Sequence, residues 1–337
     1  IRDRPDKADV LVKEATGIAP RQAELLALQG RVLVAKGQNN EALSPLSELV
    51  TRSPDSAYAR ALLAENYLQL GQIKDARRQL DLVLSEQPYY VPALVLMARV
   101  ELQSGRYVQA LEYAKRIQQA QPDLHLGHEL AGDSGMAREK HVEARLAYLQ
   151  AWERQPSSLL AVKLSEAAKL SGKPEEGIEI LLAWLNDHPD DAQAYQFLGI
   201  SYQDLGENSK AIQAYENVLK LAPDNFVALN NLAWLYALKD DPRALELAER
   251  GYQVNPEDAG IQDTYGWILV QRGQIDKGRR LLQQALEKLA DIPEVRYHYA
   301  VALLQSGEEE EAQNMLRKLL EEDRFFEGRD KAQQLLN

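Results

Sequence analysis

Prolines recur along this chain at positions 20, 54, 88, 122, 156, 189, 223 and 256, in steps of 34, 34, 34, 34, 33, 34 and 33 residues. Chance does not produce that series. A period of this length marks a tandem array in which each copy is too small to enclose a core and must bury its apolar side against its neighbours. Counting from the third residue after each proline places repeat starts at Ala23, Ala57, Val91, His125, Leu159, Ala192, Phe226 and Ala259, with a ninth copy near Pro293 that lacks the closing proline.

The stretch from Asp191 to Pro223 is the clearest copy. Tyr195, Leu198, Gly199 and Tyr202 share one helical face at i, i+3, i+4, i+7 spacing. Gly206 ends that helix, where positive φ is needed. Ala211, Tyr215 and Val218 form the seam of a second helix, and Pro223 stops it. The turn glycine recurs as Gly37, Gly71, Gly105, Gly273 and Gly307, and one residue early as Gly172. A small residue for close helix crossing recurs as Ala42, Ala76, Ala110, Ala144, Ala211, Gly278 and Ala312.

These motifs resemble the tetratricopeptide (TPR) repeat: Trp-x2-Leu-Gly-x2-Tyr, then Ala-x3-Phe, then Pro, with Tyr195 in the Trp place and Tyr215 in the Phe place. The resemblance covers essentially the whole chain. It implies an all-α fold, a right-handed superhelical solenoid of stacked helix-turn-helix repeats. Residues 1–22 then read as the second-helix half of a preceding repeat, 23–324 as nine consecutive repeats, and 325–337 as a C-terminal capping helix that docks through Phe326, Ala332, Leu335 and Leu336. The chain begins in mid-repeat, so further repeats are expected before Ile1.

The copy at 125–158 departs most from the pattern. It carries Gly127, Gly132 and Gly135 in one helix, and interior glycines cost about 1 kcal/mol each relative to Ala. The expectation is a softened helix, a joint in the array.

Composition excludes several classes. There is no cysteine, hence no disulfide frame or thiolate site. No stretch approaches the roughly 18 unbroken apolar residues of a membrane span. The formal net charge of -12 argues against a nucleic-acid partner. All of that excess lies in residues 169–337, which hold 18 Lys+Arg against 30 Asp+Glu, while residues 1–168 hold 21 of each.

Catalytic and metal motifs fare poorly. Gly132–Gly135 reads GDSG, like the nucleophile surround of a trypsin-like protease, yet it falls in helical phase, away from any sharp loop. His125, His128 and Glu129 share a helical face without a third metal ligand in register, and His128 stands where a packing Trp belongs. No phosphate-cradling or nucleophile-elbow motif occurs. The chain is expected to be no enzyme, with no cofactor and no metal.

In proteins resembling this one, first helices line the inner groove through repeat positions 2, 5, 6, 9, 12 and 13. Position 9 runs Arg31, Glu65, Arg99, Asp133, Ala167, Ile200, Trp234, Trp267 and Val301. The four charges alternate in sign, which suits either a ladder of ion pairs between repeats or contacts to a polar ligand. Trp234 and Trp267, with Asn230, Asn231, Asp263, Thr264, Gln196, Gln203, Tyr297 and His298 nearby, suit an interaction hot spot or packing along the groove. The candidate partner-binding residues are therefore Trp234, Trp267, Asn230, Asn231, Asp263, Gln196, Tyr297, Arg31 and Arg99. The carboxylate clamp of co-chaperone TPR domains, Lys at position 5 with Asn at position 9, is absent: Lys163 is followed by Ala167.

Function is expected to be a protein–protein scaffold that holds a partner peptide or domain. Long TPR arrays with Pro-Asp/Glu linkers resemble bacterial TPR lipoproteins of exosortase (PEP-CTERM) and exopolysaccharide systems. That resemblance implies a periplasmic or lipid-anchored protein whose anchor would precede Ile1; the alternative is a cytoplasmic one, since the absence of cysteine suits either compartment. The alternative is the targeting arm of an enzyme, such as a glycosyltransferase, whose catalytic domain lies outside this chain.

Overall fold

The computed structural model describes residues 22–322 and 325–336. All of the expected leading half-repeat except Gln22 lies outside the described residues. Among them the chain forms nineteen helices and no strand. In order these are α1 (Ala23–Ala35), α2 (Asn39–Arg52), α3 (Ala57–Gln69), α4 (Ile73–Glu86), α5 (Val91–Gln103), α6 (Tyr107–Ala120), α7 (His125–Ala137), α8 (His141–Arg154), α9 (Ser158–Leu170) and α10 (Pro174–Asp187). Then follow α11 (Ala192–Asp204), α12 (Asn208–Leu221), α13 (Phe226–Ala237), α14 (Arg243–Val254), α15 (Ala259–Gln271), α16 (Ile275–Lys288), α17 (Pro293–Gln305), α18 (Glu309–Glu321) and α19 (Arg329–Gln334). Odd-numbered helices up to α17 are the first helices of hairpins, and even-numbered ones the second.

Each first helix begins where the proline phase starts a repeat, with one exception. The fifth starts at Ser158 rather than Leu159. The cause is local: the Ser157 side chain accepts a hydrogen bond from the Leu160 amide, which satisfies an otherwise orphaned donor and moves the helix start forward. Ser56, Asp191, Asn225 and Asp258 cap four other first helices in the same manner.

The chain divides into two compact units between Ile180 and Leu181, inside α10. In the first unit, helices α1 to α9 each pack on the next, and the first helices α1, α3, α5 and α7 also touch in succession. In the second, α11 to α19 pack consecutively, with α13, α15 and α17 in succession. Contacts are thus between neighbours, as in a solenoid. The apolar interior is correspondingly divided into local clusters. One joins Ala64, Leu68, Ala76, Leu80, Val83 and Met97 of adjacent repeats.

The turns follow one hydrogen-bond scheme. The amides of Gln38, Gln72, Lys140 and Glu207 bond to carbonyls five residues earlier, on Leu33, Tyr67, Gly135 and Tyr202, at 2.8–2.9 Å. This closure needs a left-handed residue just before the donor. Gly37 (φ 73°) and Gly206 (φ 72°) supply it; where glycine is missing, Glu139 (φ 58°) and Asp240 (φ 53°) adopt the same conformation.

The three glycines of α7, expected to soften it, each have a packing reason. A Cβ on Gly132 would lie 2.4 Å from the Tyr148 ring, one on Gly135 3.0 Å from Ala144, and one on Gly127 3.0 Å from Gln118. Tyr148 is 2% exposed, and its hydroxyl donates to Asp133 Oδ1 at 2.7 Å, so the ring has no room to yield.

At the other end, Phe326 and Ala332 are fully buried, and Leu336 packs against the same cluster as Leu316 and Leu319. Leu335, expected to dock with them, is exposed.

Two measurements test this account. Gly132→Ala should destabilise the protein by about 1–3 kcal/mol in denaturant unfolding through overpacking, although alanine gains about 1 kcal/mol in helix propensity; a stabilised variant would contradict it. Glu139→Gly should raise stability by about 1 kcal/mol by relieving the left-handed strain, read in the same unfolding curves.

Candidate ligand-binding face

Position 9 of each repeat meets positions 5 and 6 of the next first helix, and that neighbour decides what each side chain does. Asp133 finds Lys163, whose ammonium donates to Asp133 Oδ1 at 2.7 Å and to Glu129 Oε1 at 2.8 Å. Burial alone would lower the Lys163 pKa, but the hydrogen bonds and charge of Asp133 and Glu129 hold it above the usual range. Burial likewise pushes the Tyr148 phenol up, and the adjoining Asp133 carboxylate adds to it. Asp133 is therefore a structural member of a polar cluster. Ser134, the serine of the GDSG tetrapeptide, is fully buried and donates to the Tyr107 carbonyl at 2.7 Å inside a helix, with no loop to form an oxyanion hole.

Arg31, Glu65 and Arg99 behave differently. For Arg31 the facing residues of the next repeat are Ala61 and Leu62, and for Glu65 they are Val95 and Leu96. Among the described residues none of the three side chains makes an ion pair or hydrogen bond. The expected ladder of ion pairs is not formed. Instead the three line an open hollow of about 490 Å³ on the first-helix face of α1, α3 and α5, with an apolar wall that includes Tyr58, Tyr90, Pro92 and Leu126. Tyr58 is 47% exposed. Tyr58, Pro92 and Leu126 occupy position 2 of consecutive repeats. The inner-face positions therefore include this wall, although its residues are neither hydrogen-bonding nor indole side chains apart from the tyrosine hydroxyls.

In the second unit, the proposed hot-spot residues are largely engaged with one another. Trp267 stacks on His298 at 4.3 Å with 19° between the planes, and Trp234 approaches the same imidazole at 5.7 Å. His298 is 3% exposed, and its Nδ1 lies 2.9 Å from Asp263 Oδ1. Both tryptophans remain partly exposed. Asn231 Nδ2 donates to the Tyr215 hydroxyl at 3.0 Å, while Asn230 contributes a 3.4 Å contact to Asn231. Gln196 accepts from Asn225 Nδ2 at 2.9 Å and so steadies the cap of α13.

Tyr297 requires a correction. It is 5% exposed and packs against Trp267 and Phe326, each at 5.9 Å, rather than facing a groove. Gly328, at φ 98°, brings the backbone so close that a Cβ there would lie 2.6 Å from the Tyr297 ring. The segment carrying Phe326 and Gly328 covers Tyr297, and that segment lies outside the repeat register from which the position was read.

Two other clusters are accounted for locally. His128 is buried, and burial lowers its pKa; among the described residues no three His, Cys, Asp or Glu side chains form a metal-ligand group. A hollow of about 570 Å³ beside Gly307–Glu311 and Asn314 gathers glutamates at the start of α18, where exposed amides favour negative charge. Glu308 there is ion-paired to Arg279 at 2.5 Å. No described helix is long and apolar enough to cross a membrane.

The contrast between the two faces predicts opposite mutational behaviour. Trp267→Ala should cost about 3 kcal/mol as a packing residue, and Tyr58→Ala less than about 0.5 kcal/mol as a free surface residue. Chemical denaturation of the two variants reads the difference, and equal losses would contradict it.

Comparison with known proteins agrees with this architecture. Family models described as tetratricopeptide repeat match residues 33–88 and 269–336, 192–225, and 95–158, together well over half of the chain. The TPR repeat-containing protein PA4667 of Pseudomonas aeruginosa is 29% identical over 149 residues, 42% of this chain and 25% of that protein. Cellulose synthase operon protein C of Pseudomonas fluorescens is 25% identical over 277 residues, 81% of this chain and 19% of that protein. The Vi polysaccharide export protein VexE of Salmonella typhi is 31% identical over 159 residues, 47% of this chain and 19% of that protein. The chain spans a quarter or less of the length of each of these relatives. The APC/C hetero-tetramer Cut9–Hcn1 contains a chain similar in fold, with a TM-score of 0.57 at 16% identity over 93% of this chain and 62% of that one.

Proposed function

The chain belongs to the tetratricopeptide repeat family, whose repeats serve as protein–protein interaction scaffolds, and from that premise we propose that it is a non-catalytic adaptor. It holds an extended segment of a partner protein along the first-helix face of its N-terminal unit. Its setting is the assembly or export of an extracellular polysaccharide, on the periplasmic side of a bacterial membrane.

The observation that carries the reading is the open hollow over α1, α3 and α5, where Arg31, Glu65 and Arg99 have no partners beside an apolar wall. Exposed apolar and aromatic area rimmed by charged side chains is the kind of surface that marks an interaction site. The printed names of two relatives, a cellulose synthase operon protein and a polysaccharide export protein, support the setting.

Site-specific photocrosslinking in cells that carry the native gene tests both parts. A benzoylphenylalanine at Tyr58 should yield a discrete adduct whose partner, identified by mass spectrometry, belongs to the polysaccharide machinery. The same label at Leu82, exposed on the second helix of that hairpin, should yield none. Adducts at Leu82 alone would overturn the choice of face, and a partner of unrelated function the setting.

A further inference from the structure

The order of charges on this face specifies the chemistry of what it holds. This step rests on the adaptor reading and adds a register to it. Arg31, Glu65 and Arg99 occupy the same position in three successive first helices, so they form a row that runs plus, minus, plus across the stack. Packed helix axes lie roughly 8–10 Å apart, and a segment in the extended polyproline II conformation, with three residues per turn, advances about 3.1 Å per residue and so brings its side chains at i, i+3 and i+6 onto one edge. One step along the row therefore corresponds to about three residues of an extended ligand.

From this geometry we propose that the occupant is a peptide segment held in the polyproline II conformation, with an acidic residue, a basic residue three places on, and a second acidic residue three places beyond that. Apolar side chains between them rest on the wall formed by Tyr58, Leu62, Pro92 and Val95. The pattern reads the same in either chain direction, so it holds whichever way the segment runs. Each charge on the row is free to take its counterpart, because none is paired within the described residues. Glu65, placed between the arginines, repels a uniformly anionic polymer at its centre. A peptide with alternating charge meets all three. Complementary charge of this kind selects partners and fixes register more than it adds bulk affinity.

The test uses the full chain and two fluorescein-labelled heptapeptides, Glu-Leu-Pro-Lys-Val-Leu-Glu and its charge inverse Lys-Leu-Pro-Glu-Val-Leu-Lys, titrated by anisotropy at low salt. The first should bind at least tenfold tighter than the second. In the triple variant Arg31→Glu, Glu65→Lys, Arg99→Glu the preference should reverse. If that variant loses helical circular dichroism, Glu65→Lys alone replaces it and should weaken the first peptide at least threefold. Equal binding of the two peptides, or binding of neither, overturns the proposed register. Photocrosslinking at Tyr58 that persists in that case leaves the adaptor reading intact, whereas its loss removes both. Tighter binding of polygalacturonate than of the first peptide also overturns the proposal, in favour of an anionic glycan.

Discussion

A small residue on the first helix meets a large one on the second, sixteen residues later, in hairpin after hairpin: Gly30 with Leu46, Gly132 with Tyr148, Gly199 with Tyr215, Gly266 with Leu282. This contact sets how closely the two helix axes approach, and much of the local geometry follows from it. With the crossing fixed, the turn has few ways to close, and the residue before the second helix is driven into the left-handed region. Glu139 and Asp240 show how firm that demand is, since they accept a conformation that side chains other than glycine normally avoid. The second helix and the buried side of the first are then committed to packing. What stays uncommitted is the outer row of the first helices.

That row has two fates in this chain. In the second unit it is closed by aromatic packing, with His298 between two indoles and held by Asp263. Over α1, α3 and α5 of the first unit it stays open, because the residues that follow Arg31 and Glu65 in register are aliphatic and offer no countercharge, whereas Asp133 on α7 is taken up by Lys163. The same repeat position is thus packed in some repeats and open in others. The difference arises from the residues about thirty places downstream, not from the position itself.

The repeat phase, the helix starts and the turn glycines were legible in the sequence because each depends on residues close in the chain. Ser157 shifted one helix start by a single residue, an effect of side-chain capping that the proline spacing does not carry. The glycines of α7 looked like weak points because a lone helix would be weakened by them. Tyr148, on a different helix, makes them a requirement. Tyr297 looked free because its cover, Phe326 and Gly328, sits after the last repeat and has no place in the pattern. Arg31 and Arg99 are candidate ligand contacts by repeat position alone. The apolar wall that includes Tyr58 and Pro92 stood at the same positions but lacked the polar and indole character used to find a site.

On the proposed function, the charges on the N-terminal first-helix face bind a partner and do not hold the fold. The most direct measurement compares the wild type with the triple variant Arg31→Gln, Glu65→Gln, Arg99→Gln, following urea unfolding and capture of the Tyr58-crosslinked partner side by side. The account predicts unfolding free energies equal within about 0.5 kcal/mol, as expected for exposed unpaired groups, together with loss of capture. A loss of more than about 1.5 kcal/mol in stability, or capture that survives the substitutions, would contradict it.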